Sequence, residues 1–171
     1  MLLFLLALLL VLAACSPSES LPLPEDTSFR VARLFQPGMV AQRASALPVW
    51  GLAPPGTEVT VRLDDEVHSV QTGPSARWRI EMEPRTAGGP HTLTITAGEE
   101  MVEITDLIYG DVWVASGQSN MEWRVANSRD AAAEIAAAAD PAIRQFKVPL
   151  TWAYQPQEEL VGGAWSSATS E

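Results

Sequence analysis

Between residues 28 and 107 the chain repeats one pattern, short runs of alternating apolar and polar residues separated by turn formers. Val59, Val61 and Leu63 alternate with Thr60 and Arg62, between Pro54-Pro55-Gly56 and Asp64-Asp65. Trp78, Ile80 and Met82 alternate with Arg79 and Glu81. Leu93 and Ile95 alternate with Thr92, Thr94 and Thr96, after a turn expected at Ala87-Gly88-Gly89-Pro90. Successive side chains of a strand point to opposite faces, so a period of two gives each strand one apolar and one wet face. Strands of this kind at this spacing predict an antiparallel β-sandwich. Pro48-Val49-Trp50-Gly51 adds a bulky indole expected to plug the core. His68 and His91, the only two histidines, fall in this region and read as strand or surface residues.

From Asp106 the pattern changes. Leu107-Ile108-Tyr109 leads through Gly110 and Asp111 into Val112-Trp113-Val114, whose β-branched and aromatic character predicts a buried strand. Ser116-Gly117-Gln118-Ser119-Asn120 follows, small and polar residues that terminate strands. A serine on a tight turn beyond the carboxyl end of a buried strand is well placed as a nucleophile. The strand holds it rigidly, Gly117 lets the chain turn sharply, and the N–H groups of the turn can face an oxyanion. Taken alone, S-G-x-S also fits an ordinary turn. Residues 130–139 (DAAAEIAAAA) predict a helix, alanine-rich, acidic at its start and stopped by Asp140-Pro141. Residues 143–148 read as a second buried strand, and the order strand, helix, strand opens an α/β sheet with parallel strands. Residues 151–171 read as a loop broken by Pro and Gly that reaches Gly163-Ala164-Trp165-Ser166. A sheet begun with two strands leaves edges and faces unburied, so residues 28–107 are expected to fold alone and residues 111–171 are not.

Residues 1–14 are almost wholly apolar, shorter than the roughly 20 residues of a membrane-spanning helix, and end in Leu12-Ala13-Ala14-Cys15. That ending resembles a bacterial lipobox, in which cleavage leaves the cysteine as a lipidated N-terminus. The reading is a lipoprotein-type signal peptide over residues 1–14, with Cys15 lipidated. A Pro-, Ser- and acid-rich flexible tether then covers residues 15–27. A plain secretory signal with an incidental cysteine, or a buried apolar helix, is the alternative. The anchor implies the bacterial cell envelope, on a periplasmic or outer-membrane face, with the membrane as a partner. The 11 Lys+Arg against 21 Asp+Glu give a formal charge of −10 with no basic run, which excludes a nucleic-acid partner. Cys15 is the only cysteine, which rules out an intrachain disulfide. Two distant histidines and no clustered carboxylates offer no metal ligand set.

The string GDVWVASGQSNMEW (residues 110–123) resembles the first conserved block of the sialate O-acetylesterase family, carbohydrate esterases of the SGNH-hydrolase superfamily. LFQPGMVAQR (residues 34–43), PVWG (residues 48–51) and AGGPHTLTI (residues 87–95) resemble the sequences that lead into the esterase domain there. The resemblance implies that Ser119 is the nucleophile and Ser116 a turn residue, with Ala115 where the family usually has cysteine. Gln118 and Asn120 either lend donors near the oxyanion or stabilise the turn. Glu122 and Trp123 either shape the acyl or sugar pocket or are a loop residue and a packing aromatic. Asp111 reads as a strand-entry residue, not as a triad acid. The family's base comes from an Asp-x-x-His element near the end of the hydrolase domain, and glycine and asparagine blocks complete the oxyanion hole. None of these lies in residues 1–171, so the reading is an N-terminal fragment. Residues 28–107 would be a β-sandwich domain, and residues 108–171 the incomplete opening of an α/β, flavodoxin-like SGNH hydrolase domain. The implied reaction removes O-acetyl groups from sialic acid or other acetylated sugars, with water as second substrate and no cofactor. The alternative is a lipid-anchored β-sandwich that binds glycans or serves as a structural module, with a degenerate esterase remnant.

Overall fold

The structure, a computed structural model, describes residue 24, residues 26–157 and residues 159–169. The signal-peptide reading and Cys15 lie outside the described residues, as does most of the tether. The alternating region forms eight strands: β1 (Arg30–Val31), β2 (Val40–Gln42), β3 (Leu47–Leu52), β4 (Glu58–Leu63), β5 (Glu66–Gln71), β6 (Arg77–Met82), β7 (Gly88–Ala97) and β8 (Glu100–Gly110). They make a three-stranded sheet ordered β1-β3-β6 and a five-stranded sheet ordered β2-β8-β7-β4-β5. The second sheet is mixed, because β2 runs parallel to β8 while its other neighbours are antiparallel.

Period-two patterning decides which side chains turn inward. Val59, Val61 and Leu63 of β4 are buried while Thr60 and Arg62 face out, and Thr60 Oγ1 lies 2.7 Å from Ser69 Oγ on β5. Trp78, Ile80 and Met82 of β6 and Leu93 and Ile95 of β7 are buried in the same way. Val49 and the β6 residues come from one sheet, and Val59, Leu93, Ile104, Leu107 and Tyr109 from the other. All belong to a single hydrophobic cluster. Each large apolar side chain removed from water contributes roughly 1.5–3 kcal/mol, so this shared cluster is what holds the two sheets together.

Two expectations for this region are corrected. Trp50 covers the core from outside rather than plugging it: it is half-buried, packs against the cluster and meets its member Phe35 edge to face at 4.9 Å. Its neighbour Val49 is the inward residue, and alternation forces Trp50 to the other face. The buried indole is Trp78. Gly88-Gly89-Pro90 is not a turn but the start of β7, whose ladder with β8 shifts register between Gly88 and His91 and between His91 and Leu93. The extra backbone is absorbed as an irregularity of the strand.

Beyond Gly110 the expected buried strand over Val112–Val114 is absent. These residues belong to no strand, and Val112, Trp113 and Val114 are 43%, 88% and 92% exposed. A strand needs a neighbour to satisfy its N–H and C=O groups, and among the described residues none pairs here. Two short 3-10 turns follow, Ser119–Glu122 and Val125–Asn127, then α1 (Ala131–Ala137). The helix lies where alanine propensity places it. The second expected strand is present but differs in kind. Strand β9 (Asp140–Phe146) starts earlier, leaves Ile143 exposed, and pairs antiparallel with β10 (Trp165–Ala168), so no parallel pair joins the described residues after Gly110. The loop expected over residues 151–171 therefore ends in a strand.

Candidate functional site

The candidate nucleophile sits on the loop between β8 and α1. At its entry, the Arg43 N–H donates to the Gly110 carbonyl at 2.9 Å and the Val112 N–H donates to Gln42 Oε1 at 2.8 Å. The Arg43 guanidinium makes two bonds to the Asp111 carboxylate, at 2.8 and 3.2 Å. These bonds from Arg43, reinforced by its charge, hold the Asp111 carboxyl below its usual range and raise Arg43 in turn. Asp111 thus ties the end of β8 to the start of the loop.

Gln118 is extended, with φ −100° and ψ −162°, and Ser119 begins the 3-10 turn. The Met121 N–H donates to the Gln118 carbonyl at 2.8 Å and the Trp123 N–H to the Asn120 carbonyl at 3.2 Å. Gln118, Ser119, Asn120, Glu122 and Trp123 are all exposed, and among the described residues Ser119 Oγ has no hydrogen-bond partner. A first turn leaves its leading N–H groups unpaired, so those of Ser119 and Asn120 are available to an anionic oxygen. Gly117 is not there for a left-handed turn, since its φ lies outside that region. A Cβ at this position would meet Met121 Cγ at 2.6 Å, a contact with a flexible side chain.

Neither histidine is brought to the serine. His68, on β5, lies 3.0 Å from Glu66 through its Nε2. His91, on β7, lies 2.7 Å from Asp64 through its Nδ1 and packs edge to face on Tyr109 at 5.6 Å. Arg85 joins both carboxylates, donating to Asp64 at 2.6 Å and to Glu66 at 3.2 Å. A cleft of about 390 Å³ beside this cluster is lined by residues 85–89 and His91, and none of its lining comes from the serine loop.

The cluster has a consequence for pH. Burial pushes the Asp64 carboxyl up, but hydrogen bonds from His91 and Arg85 outweigh it and hold the group below its usual value. For Glu66, burial is likewise outweighed by bonds from the Glu83 N–H, Arg85 and His68. A carboxyl depressed in the folded state contributes stability that is present above its unfolded value and lost as pH falls through its folded value. The melting temperature is therefore expected to fall below about pH 4, where unfolded carboxyls begin to take up protons. Thermal melts from about pH 2 to pH 7 check this: Arg85→Met should melt lower near neutrality and show a shallower acid decline. Parallel acid declines would refute the coupling.

Arg43, Gln42, Arg144 and Trp165 carry contacts that the sequence reading missed. Arg43 lay inside the family-like string at residues 34–43, which was its only signal. Arg144 on β9 donates to the Gly38 and Asp106 carbonyls and to the Asp106 carboxylate, and Trp165 Nε1 donates to the Leu34 carbonyl at 2.9 Å. Among the described residues no group of three His, Cys, Asp or Glu is placed to hold a metal ion.

No protein-family model matches the chain. It is 33% identical over 180 residues to the sialate O-acetylesterase of Rattus norvegicus, covering 96% of this chain and 32% of that protein. It is 34% identical over 158 residues to the sialate O-acetylesterase of Homo sapiens, covering 84% of this chain and 30% of that protein. Among solved structures, a carbohydrate acetylesterase from Xanthomonas citri superposes with a TM-score of 0.80 at 38% identity, covering 82% of this chain and 32% of that one. The chain spans about a third of the length of the relatives it matches.

Proposed function

The chain belongs to a sialate O-acetylesterase-like family, and from that premise we propose that it is the opening part of a serine carbohydrate esterase acting on O-acetylated sialic acid or other acetylated sugars. The observation that carries this reading is the string GDVWVASGQSNMEW, with Ser119 exposed at the start of a turn and free leading N–H groups beside it. Ser119 Oγ attacks the acetyl carbonyl while a histidine from outside residues 1–171 takes its proton. The tetrahedral oxyanion collapses, the sugar hydroxyl leaves with that proton, and an acetyl-enzyme forms. Water, deprotonated by the same base, then attacks the acetyl-enzyme; acetate leaves and Ser119 is restored. Gln118 and Asn120 line the oxyanion side of the turn. The single core shared by two sheets supports a β-sandwich over residues 28–107, with residues 108–171 as the start of an SGNH hydrolase domain. The reading is tested by sequencing downstream of the Glu171 codon. An in-frame Asp-x-x-His element, with acetate release from the extended protein, supports it. A stop codon together with glycan binding and no acetate release favours the binding module.

Cys15 is proposed as the lipidated mature N-terminus, which places the protein on the bacterial envelope. Its support is the apolar run ending in Ala13-Ala14-Cys15. Expression in a bacterial host with a labelled fatty acid should tag the protein, and Cys15→Ala should abolish the tag. Equal labelling of both forms refutes the anchor.

A further inference from the structure

The stretch from Asp111 to β9 leaves the β-domain and returns to it around one short segment, residues 33–43, and the adjoining Asp106 of β8. At the departure, Gln42 accepts from the Val112 N–H and Arg43 holds Asp111. At the return, Arg144 Nη1 donates to the Gly38 carbonyl at 3.0 Å and to the Asp106 carbonyl at 2.6 Å, and Nη2 donates to Asp106 Oδ1 at 2.9 Å. The Arg144 side chain is only 10% exposed. A planar guanidinium has donors on separate nitrogens in fixed directions, so it spans two carbonyls and a carboxylate together, whereas a lysine would have to reach all three from a single ammonium nitrogen. The Trp165 ring packs against the core and meets Phe146 edge to face at 5.5 Å, while its Nε1 bonds the Leu34 carbonyl. Gln36 donates to the Gly163 carbonyl and Arg33 to the Leu160 carbonyl. The segment is itself fixed: Phe35 and Met39 are buried, the Gly38 N–H donates to Thr105, and Met39 accepts from the Ile108 N–H.

We propose that residues 33–43, together with Asp106 of β8, form a clasp holding both ends of the Ser119-bearing loop, with Arg144 and Trp165 as positioning residues at the return and Arg43 at the departure. The β9–β10 hairpin then belongs mechanically to the β-domain, although sequence order places it in the hydrolase opening. The two ends do not weigh equally. The Arg43–Asp111 pair is half exposed and contributes little, whereas the return combines a nearly buried guanidinium with an aromatic ring on the core. The meaning for catalysis rests on the reading of Ser119 as nucleophile; the test does not.

A specific protease site inserted between Ala126 and Asn127 of the full chain allows the loop to be cut without touching either end. After cleavage the two pieces are expected to co-elute in gel filtration at micromolar concentration. The Arg144→Ala/Trp165→Ala double variant should lose the carboxyl-terminal piece, Arg144→Lys should lose part of it, and Arg43→Ala should keep it. Circular dichroism of the amino-terminal piece confirms that its strands survive in each variant. At the departure end, hydrogen exchange of the Val112 amide should speed up in Arg43→Asp and slow again when Asp111→Arg is added, a rescue that general destabilisation does not produce. Separation of the unsubstituted pieces, retention by the double variant, or no rescue at Val112 would overturn the clasp. Acetate release has no part in these readouts, so failure of the esterase reading would leave them unchanged.

Discussion

Extended by the two thirds of polypeptide that its relatives carry outside the match, the chain is expected to release acetate from aryl acetates and from O-acetylated sialic acid. Ser119→Ala is then expected to lower kcat by roughly 10⁶-fold, the scale on which loss of a triad serine acts. Ser116→Ala should keep most of the activity, because its hydroxyl is assigned to the turn. Residues 1–171 alone should show none. A serine hydroxyl needs a base within hydrogen-bond reach, and both histidines of this chain are engaged by carboxylates of the β-domain. Residual catalysis from an oxyanion hole would need its donors, each worth about 2.7–4 kcal/mol in the transition state, and on the proposed reading the remaining ones lie outside these residues. Acetate release measured with the three proteins side by side decides the matter. Activity surviving Ser119→Ala, or robust turnover by the short chain, means that another residue is the nucleophile.

Gly51→Ala is expected to destabilise the β-domain more than any exposed substitution. Gly51 lies in β3 between two neighbours, Val31 of β1 and Trp78 of β6. A Cβ there would collide with the Arg30 carbonyl and come within 2.8 Å of Trp78 Cζ2. The carbonyl belongs to backbone and Trp78 is buried, so neither can swing away as a flexible side chain could. Relief requires β1 to lift off or the indole to leave its rotamer. Overpacking of this kind costs about 3 kcal/mol, the upper part of its usual range. For a domain of this size that corresponds to a melting temperature lower by roughly 10–20 °C. Gly73→Ala is the control, since a Cβ there meets nothing and the backbone is not left-handed. Thermal unfolding followed by circular dichroism reads the difference, and equal melting temperatures for the two variants would refute the steric account.

Strands β4, β6 and β7 were legible because alternation is a local property. Any partner on the wet side leaves Val59, Val61 and Leu63 facing one way, and burial follows from the pattern. The helix at Ala131–Ala137 was legible for a similar reason, since alanine propensity acts over neighbouring residues. The Trp50 expectation failed by a single position. Residue type marked a core-sized indole, but its face is set by strand phase, and Val49 already occupied the inward side. Val112-Trp113-Val114 has strand composition but no strand, because β structure is completed by a second chain segment rather than by the residues that adopt it.

The sequence by itself determined the alternating strands of the β-domain, the alanine helix, the family and the candidacy of Ser119. Each rests on neighbouring residues or on a string of residues read in order. Tertiary structure alone decided that β2 lies parallel to β8, that β9 pairs antiparallel with β10, and that the hairpin returns to residues 33–43. It also decided that His91 is committed to Asp64, 27 residues away, whereas His68 meets Glu66 on its own strand. Arg144 and Gly38 are 106 residues apart and Trp165 and Leu34 are 131 apart. No local propensity marks such a pair, because a backbone carbonyl is the same acceptor at every position and becomes a particular partner only once the chain has folded around it.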